Sequence, residues 1–358
     1  MTGARLSAFW HEQQATVLSV AAVALALLVG AGLVATIGVP VRNAVAAFAE
    51  GAWGSPYAIA ASINRSIAFA LVGLGFVLAN RANLTNVGGE GQIAIGGIAA
   101  TATCLHSGVA QLPFGLAFIA PLLTACLAGG AWGGLVGWLK VRVGTNEVIS
   151  SLMLSFIAVW LLYGSVQSEA LLRQPMTTSS TLPESLEIPD PTKLPLLFDN
   201  AGMPLHIGLP LALLLAVAVA VLLHRTVFGL RLRAVGLNSL AARRAGIGIA
   251  PAIVGVFCAA GALGGLAGAM MLQGEQYSLK AGFSSGYGFD GLVVGLLARG
   301  SVTGVLAGAL LFGFMRSGGI NMEMVAAVPS ALVLVMQGVI IVALAGAARW
   351  MAGPGSHR

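Results

Sequence analysis

Lysine occurs at only three positions in this 358-residue sequence, Lys140, Lys193 and Lys280, and none of them follows a glycine. A Walker A phosphate loop needs a Gly-Lys pair, so the chain carries no such nucleotide site. Charge of either sign is scarce: 8% of residues are Asp, Glu, Lys or Arg, against about 25% in a soluble globular chain. Too little polar surface remains to cover a water-facing body, so lipid is the expected solvent. The three cysteines, Cys104, Cys126 and Cys258, lie inside apolar runs and form no CxxC pair, which fits small hydrophobic packing. Histidine occurs five times, with no Cys or His cluster at metal spacing. His11-Glu12 is not HExxH, because position 15 is Ala15. Gly282-Phe283-Ser284-Ser285-Gly286 fits the pattern GxSxG, but a nucleophile elbow needs a strand before it. Here an apolar helix and a polar loop precede it. No enzyme chemistry emerges.

What the sequence has is long uncharged runs. It is 58% hydrophobic, with mean hydropathy +0.92. No Asp, Glu, Lys or Arg falls between Glu12 and Arg42, Glu90 and Lys140, Glu147 and Glu169, Asp199 and Arg225, Arg244 and Glu275, or Glu323 and Arg349. A span needs about 20 apolar residues, and unbroken runs of this kind read as helices, not as alternating barrel strands. The expected fold is therefore all-α: a single polytopic transmembrane domain over 1–358. The run 15–39 exceeds the roughly 7–15 residues of a signal-peptide core and is expected to be a retained first span. Further spans are expected near 59–79, 88–105, 114–139, 148–163, 207–223, 249–272 and 328–347. Residues 44–55 suggest an interfacial helix. Residues 291–298 and 303–314 are each too short to cross, and the Arg299-Gly300-Ser301 break between them suggests a hairpin of half-helices. The total is about ten helical segments.

Net charge is +6, and the excess lies in loops beside apolar runs. There it sets orientation and argues against a nucleic-acid partner. The segment RLRAVGLNSLAARRAGI, 231–247, carries four arginines and is expected in the cytoplasm with the turn at 140–142. The loop 164–206 holds six prolines and five acids against Arg173 and Lys193, and is expected outside the cell. Arg5 precedes the first expected span; counting back from these loops puts the N-terminus in the cytoplasm, and Arg349 and Arg358 are expected to put the C-terminus there too. Glycine occurs 49 times, with four-residue spacing at Gly129, Gly133 and Gly137, at Gly261 and Gly265, and at Gly264 and Gly268. Small residues at this spacing let helices approach closely in lipid, whether inside the bundle or at a moving interface.

Polar residues beside apolar runs are the candidate functional groups. Asn86, Gly88, Glu90 and Gln92 open one expected span, where a carboxylate suits a helix N-terminus. Thr145, Asn146 and Glu147 open another in the same manner, with Thr145 or Asn146 as N-cap. Gln92 and Ser155 can face a pore or bond another helix. Asn64 and Arg65 can face a solute path, and Arg65 can equally snorkel to head groups.

Four stretches carry a resemblance. NLTNVGGEGQIAIGGIAA (83–100) resembles the NIGGEGQ signature of permeases in sugar- and nucleoside-type ABC importers, the branched-chain amino acid and ribose-type family. GTNEVISSLMLSFIA (144–158), RAVGLNSLAARRAGI (233–247) and GLVVGLLARGSVTGVLAGALLFG (291–313) resemble that family's other conserved segments, in the same order. Ser239, Ser155 and Val302 depart from the usual Pro, Asn and Pro. The resemblance implies a permease subunit in a prokaryotic cell membrane. It implies a second homologous permease, an ATPase subunit that uses the ATP, and an extracytoplasmic binding protein, with no cofactor held by this chain. Arg233, Ala234, Gly236, Asn238, Ala241, Ala242, Arg243, Arg244 and Gly246 would then form the ATPase-coupling helix. The Gly-Gly-Glu-Gly-Gln form leans toward nucleosides, with simple sugars next. An ion-coupled secondary transporter is the competing expectation and requires carboxylates or discontinuous helices at mid-membrane.

Overall fold

The computed structural model describes residues 28–113, 116–175, 182–198, 202–329, 331–339 and 342. Arg5, Asp199, Arg349, Arg358 and most of the run 15–39 lie outside these. The described residues are helical, with isolated bridges such as Arg173 to Ser185 in place of strands. The helices described from end to end are α1 (Val41–Trp53), α2 (Pro56–Arg81), α3 (Gly89–His106), α4 (Leu116–Val143), α5 (Glu147–Gln167), α6 (Gly208–Arg225), α7 (Val227–Leu237), α8 (Ser239–Arg244), α9 (Ile249–Met271), α10 (Tyr287–Leu297) and α11 (Val302–Ala326), and residues 28–36 and 331–339 are helical as well. A π turn over Leu272–Gln276 extends α9. Among the described residues, six helices are long and apolar enough to cross a bilayer: α2, α4, α5, α6, α9 with its π turn, and α11.

Two compact units divide the chain. One comprises Met1–Ser62 and Phe314–Arg358. Within it, Asn321 Nδ2 donates to the Ala47 carbonyl (2.7 Å) and Ser317 Oγ to that of Gly51 (2.9 Å), tying α1 to the end of α11. Val34, Ala44, Met315, Met322, Val328, Val333 and Met336 form its core.

The other unit, Ile63–Gly313, is built around α9. Helix α4 runs antiparallel to it. Gly137 abuts Val254, Gly133 abuts Phe257 and Gly261, and Gly129 abuts Gly261 and Gly265, so that a β-carbon at any of the three would strike α9 backbone. Gln273 Nε2 then reaches the Phe118 carbonyl at 3.0 Å. This small-residue seam is packing inside one unit, as van der Waals association in lipid favours. It also fixes the ends. Lys140 and the start of α9 share one end with α7 and α8. The Pro-rich loop closes the other end through backbone bonds from Leu194 to Gln273, Ile188 to Tyr277 and Ser185 to Leu279. The basic and acidic loops thus lie at opposite ends of the unit.

The expected hairpin of half-helices is only half present. Helix α10 is short, eleven residues, and ends in a turn at Arg299 and Gly300, both at positive φ. Its partner α11 runs 25 residues to Ala326. The expected short segment 303–314 is thus part of a longer helix, which carries the polar Arg316, Asn321 and Glu323 inside it.

Candidate functional site

The segment preceding α3 does not form a simple cap. Asn86 Oδ1 accepts the Gly88 N–H at 2.9 Å, and the Asn86 and Gln92 side-chain amides pair reciprocally at 3.4 Å. Helix α5 closes the other side. Ser151 Oγ accepts the Val87 N–H (3.1 Å), and Ser155 Oγ accepts that of Gly91 (3.3 Å). A β-carbon on Gly91 would lie 2.6 Å from the Ser155 Cα, so the glycine permits this contact. The two openings that looked alike in sequence are therefore joined, and Ser151, which sequence reading passed over, is one of the joints. Asn86, Glu90, Gln92, Ser151 and Ser155 are all buried.

Glu90 points away from its own helix start. Its Oε1 accepts the Gly286 N–H (2.9 Å) and its Oε2 the Gly288 N–H (2.8 Å). Those amides open α10, so Glu90 caps a helix almost two hundred residues away. Gly286 takes φ 83°, which a side chain would resist. Gly288 lies so close to the Glu90 backbone that no β-carbon fits. The depth of this contact follows from packing. Gln92 lies against Gly264, near the midpoint of the 28-residue run Ile249–Gln276. Helix α10 then descends along α2, with Gly291 on Val72 and Gly295 on Phe76, toward the end that holds α8. It is a discontinuous helix whose positive dipole end sits at mid-depth and is met by a carboxylate. Residues 282–286 are turns with no strand before them, which excludes a nucleophile elbow.

At the basic end, Asn146 Oδ1 caps α5 through the Val148 (2.9 Å) and Ile149 (3.4 Å) N–H groups. Glu147 pairs with Lys140 at 2.6 Å. Helix α8 is capped by Asn238 Oδ1 on the Ala241 N–H (2.9 Å) and ends at Arg244, with Gly246 at φ 80° turning the chain just beyond it. Ala242 is buried beneath it, and Ala234 and Gly236 are half-buried. Arg233, Ala241, Arg243, Arg244 and Gly246 are exposed, as are Leu237 and Leu240. Gly236 rests on the backbone of Arg81, Ala82 and Asn83, the loop leading into the Asn86–Gln92 segment.

At the opposite end, Lys193 lies 2.7 Å from both Glu187 and Asp190 and 4.8 Å from the Tyr277 ring centre. The two carboxylates raise its pKa, Asp190 first. His206 packs its ring on Gly274 and accepts the Gly208 N–H at Nδ1 (3.1 Å). Burial pushes its pKa down to about 4. From sequence, Lys193 reads only as a base of the Pro-rich loop, and His206 has no role. Asn64 Nδ2 donates to the Pro204 carbonyl (2.8 Å), and Arg65 lies within electrostatic range of Glu275.

Comparison with known proteins agrees with this architecture. The chain is 34% identical over 302 residues to the glucose ABC transporter permease protein TsgB13 of Haloferax volcanii, covering 81% of this chain and 76% of the relative. It is 33% identical over 326 residues to the guanosine ABC transporter permease protein NupP of Bacillus subtilis, covering 90% and 91%. It is 30% identical over 295 residues to the nucleoside ABC transporter permease protein NupB of Lactococcus lactis subsp. cremoris, covering 79% of each. No solved structure matches. The family model for the permease component of branched-chain amino acid transport systems matches residues 58–345, and the chain belongs to that family: it is a multi-pass ABC transporter permease of the cell membrane.

Proposed function

We propose that the chain is the membrane-spanning subunit of an ATP-driven importer that moves a nucleoside or simple sugar handed over by an extracytoplasmic binding protein. Its partners are an ATPase subunit below, a second homologous permease alongside, and that binding protein above. Residues 231–247 face the cytoplasm and 164–206 the outside, with both termini cytoplasmic. The six long helices, α3, the short α10 and the apolar runs at the two ends of the chain bring the segments to about ten.

The observation that carries this reading is the seat of α8 and the line of contacts beyond it. The exposed Leu240, Arg243 and Arg244 offer an apolar knob and charge-assisted donors to an ATPase cleft. Gly236 passes any displacement to the 81–83 backbone. That backbone leads to Asn86, Gln92 and Glu90, and Glu90 grips α10 at mid-depth. ATP-driven closure of the ATPase pair would then tilt the half-helix and switch access from the outer to the inner face. Gly236→Leu is the direct test in the reconstituted complex. Solute-stimulated ATP hydrolysis and uptake should both fall sharply while the subunits still co-purify. Retention of both activities would refute the coupling role.

The mid-depth carboxylate and discontinuous helix also suit an ion-coupled carrier. Vesicles holding this chain alone, with an ion gradient and no ATP, should accumulate no solute; accumulation there would establish that second reading.

A further inference from the structure

At the basic end of the unit, the last turn of α4, the first turn of α9 and the short α8 frame a cavity of about 650 Å³, a volume in the range of small-ligand sites. Its walls are apolar, chiefly Val141 of α4, Ile247, and Ile249 and Ile253 of α9. Among the described residues, two polar side chains line it, Ser239 and Arg243, both on α8 and both exposed. None of the lining residues is an acid.

The charge beside the cavity has one sign. Arg142 follows Val141 in the chain, and Arg244 follows Arg243. Glu147 is taken up by Lys140 at 2.6 Å. Among the described residues no carboxylate pairs with Arg142, Arg243 or Arg244. A guanidinium in that state, set against apolar walls, suits a ligand that is anionic at one end and apolar at the other. Helices α4 and α9 are both long and apolar enough to cross a bilayer, and the cavity lies at the end where α4 stops and α9 starts. Pro251 lines it and is exposed. Gly255, one turn deeper on the same face of α9, has open space where a β-carbon would stand. A groove therefore leads from the cavity along α9 toward the membrane interior, which is a path for an acyl chain and not for a soluble ion.

We propose that this cavity holds the phosphate of an anionic phospholipid, with the Arg243 guanidinium and the Ser239 hydroxyl as donors and an acyl chain running past Pro251 and Gly255 into the bilayer. The lipid sits between α8 and the membrane helices, so Arg243 bridges it to whatever α8 meets on its far side. In the importer this makes an anionic lipid part of the seat of α8. The binding itself does not depend on the importer reading, since every residue in it belongs to this chain.

The test uses the full-length chain in detergent, offered phosphatidylglycerol and phosphatidylcholine of matched acyl chains, with bound lipid read by native mass spectrometry. One phosphatidylglycerol should be retained, preferred about tenfold or more, the size of one charged hydrogen bond. Arg243→Gln should abolish that preference. Arg225→Gln removes an exposed arginine at the end of α6, outside the cavity, and should leave it intact. Ala250→Trp fills the cavity from an exposed lining position without touching the arginine, and should lower retention of both lipids. Survival of the preference in Arg243→Gln would overturn the proposal. Equal losses in Arg225→Gln would reduce it to the general pull of a basic surface. Displacement of the lipid by millimolar inorganic phosphate would make the cavity a soluble-anion site, and release of the lipid on adding the ATPase subunit would give it to that partner; either result refutes the lipid. Should Arg243→Gln fail to fold, Ala250→Trp decides, because undiminished phosphatidylglycerol there rules the cavity out. Failure of the ATPase to bind at all would count against the importer reading and leave the lipid result, obtained on the chain alone, standing.

Discussion

Glu90 shows how one side chain can join parts of the chain that sequence keeps apart. Its two charge-assisted bonds to Gly286 and Gly288 should make Glu90→Ala destabilising by roughly 2–4 kcal/mol, read as a lowered melting temperature of the purified complex. Glu90→Gln keeps an acceptor and should lose less. The Gly-Gly-Glu-Gly-Gln run was legible as a helix opening, because glycines and an acid before an apolar stretch say so locally. Its real partner was not legible, since no periodicity records a contact across almost two hundred residues. His206 makes a second prediction at this scale. Its folded pKa of about 4 lies below the ordinary value of 6.5, so an unfolded chain binds the proton more readily. Stability should hold above pH 6.5 and decline as pH falls from there toward 4. Thermal melts across that window should show the decline, and His206→Gln should flatten it.

Among the elements, α4 and α9 were the easiest to foresee and the best to test. Their glycines at four-residue spacing announced a close contact, and the structure puts Gly133 on the Phe257 and Gly261 backbone. Gly133→Val should separate the pair and cost at least about 1–3 kcal/mol, seen as loss of folded protein in detergent. Gly164 has open space around it, and Gly164→Ala should be silent in the same assay. Helix α8 is a smaller case. Asn238 supplies a side-chain cap, so Asn238→Ala should weaken the helix by about 1 kcal/mol and, on the importer reading, reduce solute-stimulated ATP hydrolysis more than assembly. Helix α11 was misjudged: the expected segment 303–314 is part of a helix that runs from Val302 to Ala326 with polar residues inside it. In a packed bundle such residues are satisfied by neighbours, as Asn321 is by Ala47, and the helix runs on.

For the molecule as a whole, composition alone decided the class: a chain this poor in charge has to live in lipid. The structure adds an apolar face open to such a solvent. On α5, Ile149, Met153, Phe156 and Trp160 form an exposed apolar stripe, with Trp160 71% accessible. Brominated lipid should quench Trp160 fluorescence, and Trp160→Phe should remove that share of the quenching. The proposed sidedness is equally open to measurement: a cysteine placed at Ser239 should react with impermeant maleimide only from the inside, and one at Glu187 only from the outside. One last consequence follows from the carboxylate seated on α10. The permease has already spent the positive pole of its buried half-helix on a residue of its own, so a phosphate group arriving at mid-membrane finds no welcome there. On the importer reading, a cell that phosphorylates its catch on arrival would thereby deny it the way out, and the gate would discriminate against leakage without any dedicated lock.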